Sequence, residues 1–161
     1  MPMHTAHVYV QELKASKEFF DRATRALIEE DSEFSPEEGM MSAAQQVAHV
    51  AQTLEWFLDG ATNPKGFDLD FDAHMAAVKN YTSLAKAREW HTRAHEKVTT
   101  AIGAMSEETL CSFLPEGMVM GGMPRAAVVG AMVEHTAHHR GALSVYTRLL
   151  GKEPPMPYMD L

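Results

Sequence analysis

Apolar residues recur along the chain at intervals of three and four in four long stretches, while Gly, Pro and Asn collect in the breaks between them. That pattern predicts four helices. The first runs from about Thr5 to Glu30, with Val8, Leu13, Phe19, Phe20, Ala23, Leu27 and Ile28 broadly on one side, and ends at the turn-prone DSEFSPEEG. The second spans about Ser42 to Leu58, with Ser42 placed as an N-cap, and stops at DGATNPKG, where Asn63, Pro64 and Gly66 forbid continuation. The third begins near Asp72, is poorly patterned through Tyr81, and becomes regular from Thr82 to Met105 with a stripe of Leu84, Ala87, Ala94, Val98, Ala101, Ile102 and Met105. The fourth opens with Pro124, whose fixed φ suits a first helical turn, and is ended by Gly151. No alternating apolar and polar run of strand length competes, so the fold class is all-α with little or no sheet. Two connections are longer than a simple up-down bundle needs, which allows crossover connections.

Composition narrows the function classes. At 161 residues, 45% hydrophobic and 22% charged, the chain reads as one soluble domain covering residues 1–161. A net charge of −8 without any cluster of Lys and Arg argues against nucleic acid as a partner. The start MPMHTAHVYVQELKAS lacks a basic segment followed by an apolar core, and no run of about 18 apolar residues occurs, so neither a targeting segment nor a membrane span is expected. One cysteine, Cys111, sits in ETLCSFLP without a basic activator and reads as a structural thiol. Together these features suggest a cytoplasmic protein.

The chemistry lies in the histidines. In PRAAVVGAMVEHTAHHRGALSVYTRLLG, His135 and His139 are one turn apart, so on a helix both rings project the same way about 6 Å apart along the axis. Spacing alone is weak evidence, because nine histidines in this length give about 0.5 such pairs by chance and a second pair exists at His91 and His95. Placement is stronger evidence. The two rings fall on the arc carrying Val128, Ala131, Met132, Ala142, Leu143, Tyr146, Leu149 and Leu150, with Glu134, Arg140 and Arg148 opposite. Each unpaired polar group in such surroundings costs about 1–3 kcal/mol, and a shared cation satisfies both rings, whereas ordinary core histidines find hydrogen-bonding neighbours. His138 points about 100° away from its neighbour His139 and is excluded as a ligand. His91 lies in the third helix's apolar stripe and His95 on its rim, beside Arg88, Glu89, Arg93, Glu96 and Lys97; with no inward carboxylate evident, they read as structural.

A metal held by two histidines needs further ligands, and His49 is the candidate on the second helix. Its face carries Ser42, Gln45, Gln46, Gln52, Thr53 and Trp56, opposite Val47, Val50, Ala51, Leu54, Phe57 and Leu58. That strip is polar but uncharged near the histidine, which fits either a solvent-facing surface or the wall of a wet internal cavity.

The segments VAHVAQTLEWFLDG and EHTAHHRGALSVYTRLLGKEPP, with the proline-containing tail that follows, resemble the DinB-like, YfiT-like superfamily of metalloenzymes, and helix order and length agree over the whole chain. The resemblance implies a four-helix bundle of the DinB/YfiT type, assembled as a homodimer, with a divalent metal held by His49, His135 and His139. Zinc or nickel suits three imidazoles, and three neutral ligands with an open position resemble catalytic more than structural zinc sites. By the same resemblance the activity is that of a thiol-dependent S-transferase or detoxification enzyme using a low-molecular-weight thiol and a small-molecule substrate. A metal-dependent hydrolase and a non-catalytic, stress-induced metal-binding protein are the alternatives. Members often carry Gln where this chain has Ala142, so neighbours of the site are not carried over. No general base is named, since Glu134 lies opposite the ligand face.

Overall fold

A computed structural model describes residues 5–160. Four long helices, α1 (Thr5–Thr24), α2 (Ala43–Thr62), α4 (Leu84–Gly103) and α6 (Ala127–Leu149), form a bundle, supplemented by two short ones, α3 (Phe71–Lys79) and α5 (Glu107–Cys111). The described residues contain no strand, only an isolated bridge between Phe113 and Pro124. No helix among them is long and apolar enough to cross a membrane.

Local chemistry sets the helix ends. The Ser42 hydroxyl accepts from Gln45 N at 3.3 Å while Gln45 Oε1 accepts from Ser42 N at 2.9 Å, a reciprocal box that satisfies two orphan donors at the start of α2. Asp70, Ser83 and Ser106 cap α3, α4 and α5 by accepting from Ala73, Lys86 and Thr109. At the end of α6, Gly151 takes φ +73. Its N–H then bonds to Arg148 O, and that of Lys152 to Thr147 O, the paired closure that a left-handed glycine permits.

Packing closes a ring in the order α1, α4, α2, α6, each long helix touching the next and α6 returning to α1. Helices consecutive along the chain, α1 with α2 and α4 with α6, therefore lie across the diagonals, as the long connections allow. The core joins Leu13 and Phe20 of α1, Val47, Val50 and Leu54 of α2, Leu84, Val98 and Ile102 of α4, and Val128, Met132, Leu143 and Tyr146 of α6.

Four boundaries differ from the sequence expectation. The first helix stops at Thr24, with a single 3-10 turn at Glu29–Asp31, instead of reaching Glu30. The second runs on to Thr62 through Gly60, where the Phe67 ring lies so close that a Cβ would come within 2.3 Å of it. The expected third helix is two helices, broken at 80–83, because α3 buries only Val78 and carries almost no core pattern. The last helix starts at Ala127, since Pro124 bridges to Phe113 and the N–H groups of Arg125 and Ala126 bond back to Ser112 O and Leu110 O. Several side chains also depart from the reading: Val8, Ile28 and Leu149 are exposed although they fall on apolar faces, and Cys111 is exposed on α5 and does not pack as a structural thiol.

Candidate metal centre

α2 is apolar on most of its surface, with Val47, Val50, Ala51, Leu54 and Leu58 all buried, so its one polar strip is the exception. That strip faces inward as well: Gln46 and Thr53 are buried and His49 is half-buried against α6. Of the two alternatives for this face, the internal wall is the observed one. On α6 the buried positions Met132, Thr136, His139 and Leu143 follow the helical repeat, and this repeat carries His135 to the rim of the same face.

The structure brings His49, His135 and His139 together. Their ring centroids lie 5.0 Å (His49 to His135), 4.8 Å (His49 to His139) and 4.5 Å (His135 to His139) apart. Each offers one ligand nitrogen, and the three nitrogens are within 4.8 Å of one another. Nε2 of His135 is 3.3 Å from Nε2 of His49. Two nitrogens bound tetrahedrally at about 2.0–2.1 Å would sit about 3.3–3.4 Å apart, so this edge of the triangle already has the separation a zinc-like ion demands. No other group of three or more His, Cys, Asp or Glu side chains among the described residues meets the same criterion.

A hydrogen-bonded chain orients one ring. Nδ1 of His139 donates to Gln46 Oε1, the Gln46 amide donates to Tyr146 Oη at 3.3 Å, and the Tyr146 hydroxyl donates to Met41 O at 2.9 Å. With Nδ1 engaged as a donor, Nε2 of His139 is left as the nitrogen with a free lone pair. Sequence inspection had put Gln46 on the strip and Tyr146 on the apolar arc without linking them; only the α2–α6 packing reveals the chain.

Electrostatics favour neutral rings. Burial, reinforced by the neighbouring His49 and His138, lowers His135 to about 4. Burial and then His135, His49 and His138 lower His139 to about 3. His49 is lowered by burial and His138. All three imidazoles are thus unprotonated near neutral pH, the form that binds a cation. His49 Nδ1 and Thr136 Oγ1 are buried without a hydrogen-bond partner. Neutral nitrogen donors at this spacing fit a divalent ion of borderline softness such as zinc or nickel.

A cavity of about 190 Å³ adjoins the triad, lined by His49 and His135 together with Gln52, Thr53, Trp56, Phe57, Phe71, His74 and Met75. The last three come from α3, whose contribution was not legible in the sequence. His74 is notable: its Nε2 is buried without a hydrogen bond, 3.4 Å from Asp68 Oδ2. The aspartate-rich FDLDFDAH around it was the available signal. The Met-rich loop before α6 contributes nothing to this cavity, and its Met118 is 90% exposed.

The pair His91 and His95 sits elsewhere, fully buried between α4 and α1. His91 packs on Phe20 at 4.6 Å, and its Nδ1 is 3.7 Å from Oδ1 of Asp21, a carboxylate that stays half-exposed at the edge of the pair. His95 is more deeply buried than a rim position implies, and neither of its nitrogens has a hydrogen-bond partner. Lys17 also ion-pairs with Asp21. The described residues supply no third ligand within bonding reach, so this pair is not gathered as the triad is.

Comparison with known proteins agrees with this architecture. A DinB-like protein from Bacillus subtilis superposes with a TM-score of 0.67 at 20% identity, covering 96% of this chain and 99% of that one. YfiT from Bacillus subtilis, described as a probable metal-dependent hydrolase with an unusual four-helix bundle topology, superposes with a TM-score of 0.65 at 14% identity, covering 92% and 89%. No curated protein matches the sequence. At such identities the likeness speaks for the four-helix bundle, while the sequence itself matches the DinB family over residues 1–161, and the chain belongs to that family.

Proposed function

We propose that the protein is a metal-dependent enzyme in which His49, His135 and His139 hold one divalent ion, zinc or nickel, beside the α2–α3 cavity. The observation that carries the reading is the convergence of three neutral imidazole nitrogens, supplied by helices far apart in sequence, at the separations of a metal-ligand set. Such an ion would supply Lewis-acid chemistry, drawing the pKa of a bound water toward about 7 and deprotonating a bound thiol. The protein's own contribution is positional. Gln46 and Tyr146 hold His139 in one tautomer, burial keeps the three rings unprotonated, and Trp56, Phe57, Phe71 and Met75 give the adjoining cavity an apolar wall.

The nucleophile separates two reactions. Transfer of a low-molecular-weight thiol to an electrophile follows from the family resemblance, and hydrolysis is favoured by the description of YfiT. One experiment tests both: metal-loaded protein and its His135→Ala variant are compared for aryl ester hydrolysis and for conjugation of small thiols to electrophiles. The proposal expects at least one activity, lowered 100-fold or more by the substitution. Equal turnover in the two proteins, or none in either assay, overturns it.

A further inference from the structure

The walls of the cavity beside the triad define what fits there. Trp56 forms one side, its ring 5.1 Å from Phe57 and 6.0 Å from Phe71. It is pinned on the far side by Phe67 at 4.8 Å and by its indole N–H, which donates to Asp68 O at 2.8 Å. His74 lies 6.4 Å from the same indole, and Met75, one residue on, closes the α3 wall with a flexible, polarizable side chain. These positions are held by packing and hydrogen bonding within the chain, so the flat wall exists before any ligand arrives.

Size and polarity then select. The cavity measures about 190 Å³. An apolar cavity of about 150 Å³ holds a benzene molecule, while drug-sized ligands occupy about 300–1,000 Å³, so this one takes a single ring with a short arm. Its lining includes no Asp, Glu, Lys or Arg, so in the metal-free cavity a charged group finds no opposite charge, and away from the triad the walls suit only uncharged groups. His49 and His135 line the same cavity, which puts an atom carried on that arm beside the triad.

We propose that the substrate is a small molecule with one flat, uncharged apolar ring, seated between Trp56, Phe57, Phe71 and Met75, with its reacting group on a short arm directed at His49 and His135. This rests on the proposed function for the reaction, but not for the binding. It also makes α3 the specificity element, since Phe71 and Met75 complete the wall from a helix that is otherwise peripheral to the core.

The test uses metal-free protein carrying Trp90→Phe, so that the single indole N–H resonance is that of Trp56. The protein is titrated with benzyl alcohol, with ethanol as the ringless control and phenylacetate as the charged one. The expected result is a saturable shift of the Trp56 signal with benzyl alcohol, at an affinity at least tenfold above that for either control. Phe71→Ala combined with Met75→Ala should weaken benzyl alcohol at least tenfold with unchanged circular dichroism; Phe71 is 53% exposed, so the fold does not depend on it. Absence of a saturable shift, equal affinity for phenylacetate, or insensitivity to the double substitution overturns the proposal. Equilibrium dialysis of the same protein against zinc separates the two readings. Ring binding without zinc binding removes the proposed function alone, and zinc binding without ring binding removes this inference alone.

Discussion

Gln46 touches His139 on one side and Tyr146 on the other, so its amide fixes which nitrogen of His139 faces its two partners. Partners of this kind typically change metal affinity about 10–100-fold when removed. Gln46→Ala should therefore weaken zinc binding by about that factor in a chelator competition, with no loss of helical content. His95 shows the opposite use of burial. In the unfolded chain its ring protonates near 6.5, whereas burial and the charge of Lys17 lower it to about 4 in the fold. The unfolded state thus binds more protons between those values. Stability from burying the neutral ring is complete above about pH 6.5 and is lost as pH falls toward 4, on the order of 3 kcal/mol in all. His91, lowered further by burial and by His95, Lys17 and Arg88, steepens the same loss. Urea denaturation of metal-free protein at pH 7 and pH 5 measures it, and His95→Phe should show a clearly smaller difference between the two.

At the scale of helices, α3 is held in place by a loop more than by its own apolar face. Phe67, reaching back over Gly60, stacks beside Trp56 and Phe57 and so carries the segment between α2 and α3 against the bundle. Gly60→Ala would put a Cβ 2.3 Å from that ring. The expected cost is about 1–3 kcal/mol, as for overpacking generally, together with faster proteolysis within residues 63–70. Unchanged stability and protection would mean that the loop does not anchor α3. The same local logic explains why α3 was hidden in the sequence: helical periodicity reports burial, and a helix that buries only Val78 leaves no periodic trace. α5, at five residues, is shorter than any pattern can register.

Across the whole molecule, the all-α class, the four long helices and the inward turn of His135 and His139 were legible, because each depends on a repeat of apolar positions along one segment. Within its own segment His49 was legible only as an anomaly, an uncharged polar strip on an otherwise apolar helix, and its role as a ligand came from the family resemblance. Its meaning required α2 to pack against α6, which no single segment encodes. The diagonal placement of consecutive helices, the Gln46–Tyr146 chain and the α3 wall belong to the same class of information: contacts between residues roughly a hundred positions apart, or contributed by elements with little burial of their own. The second pair, His91 and His95, illustrates the converse. Its spacing is that of His135 and His139, yet the ring order of the bundle turns it toward Phe20 and Asp21 of α1, away from any third nitrogen.

The central claim is that one divalent ion is shared by three imidazoles from α2 and α6. Equilibrium dialysis of untagged protein against zinc, read as bound ions per chain, tests it most directly. The account predicts one ion per chain, with affinity lowered at least 100-fold in His49→Ala, His135→Ala and His139→Ala and unchanged in His95→Ala. Stoichiometric binding that survives His49→Ala, or is lost in His95→Ala, would contradict it.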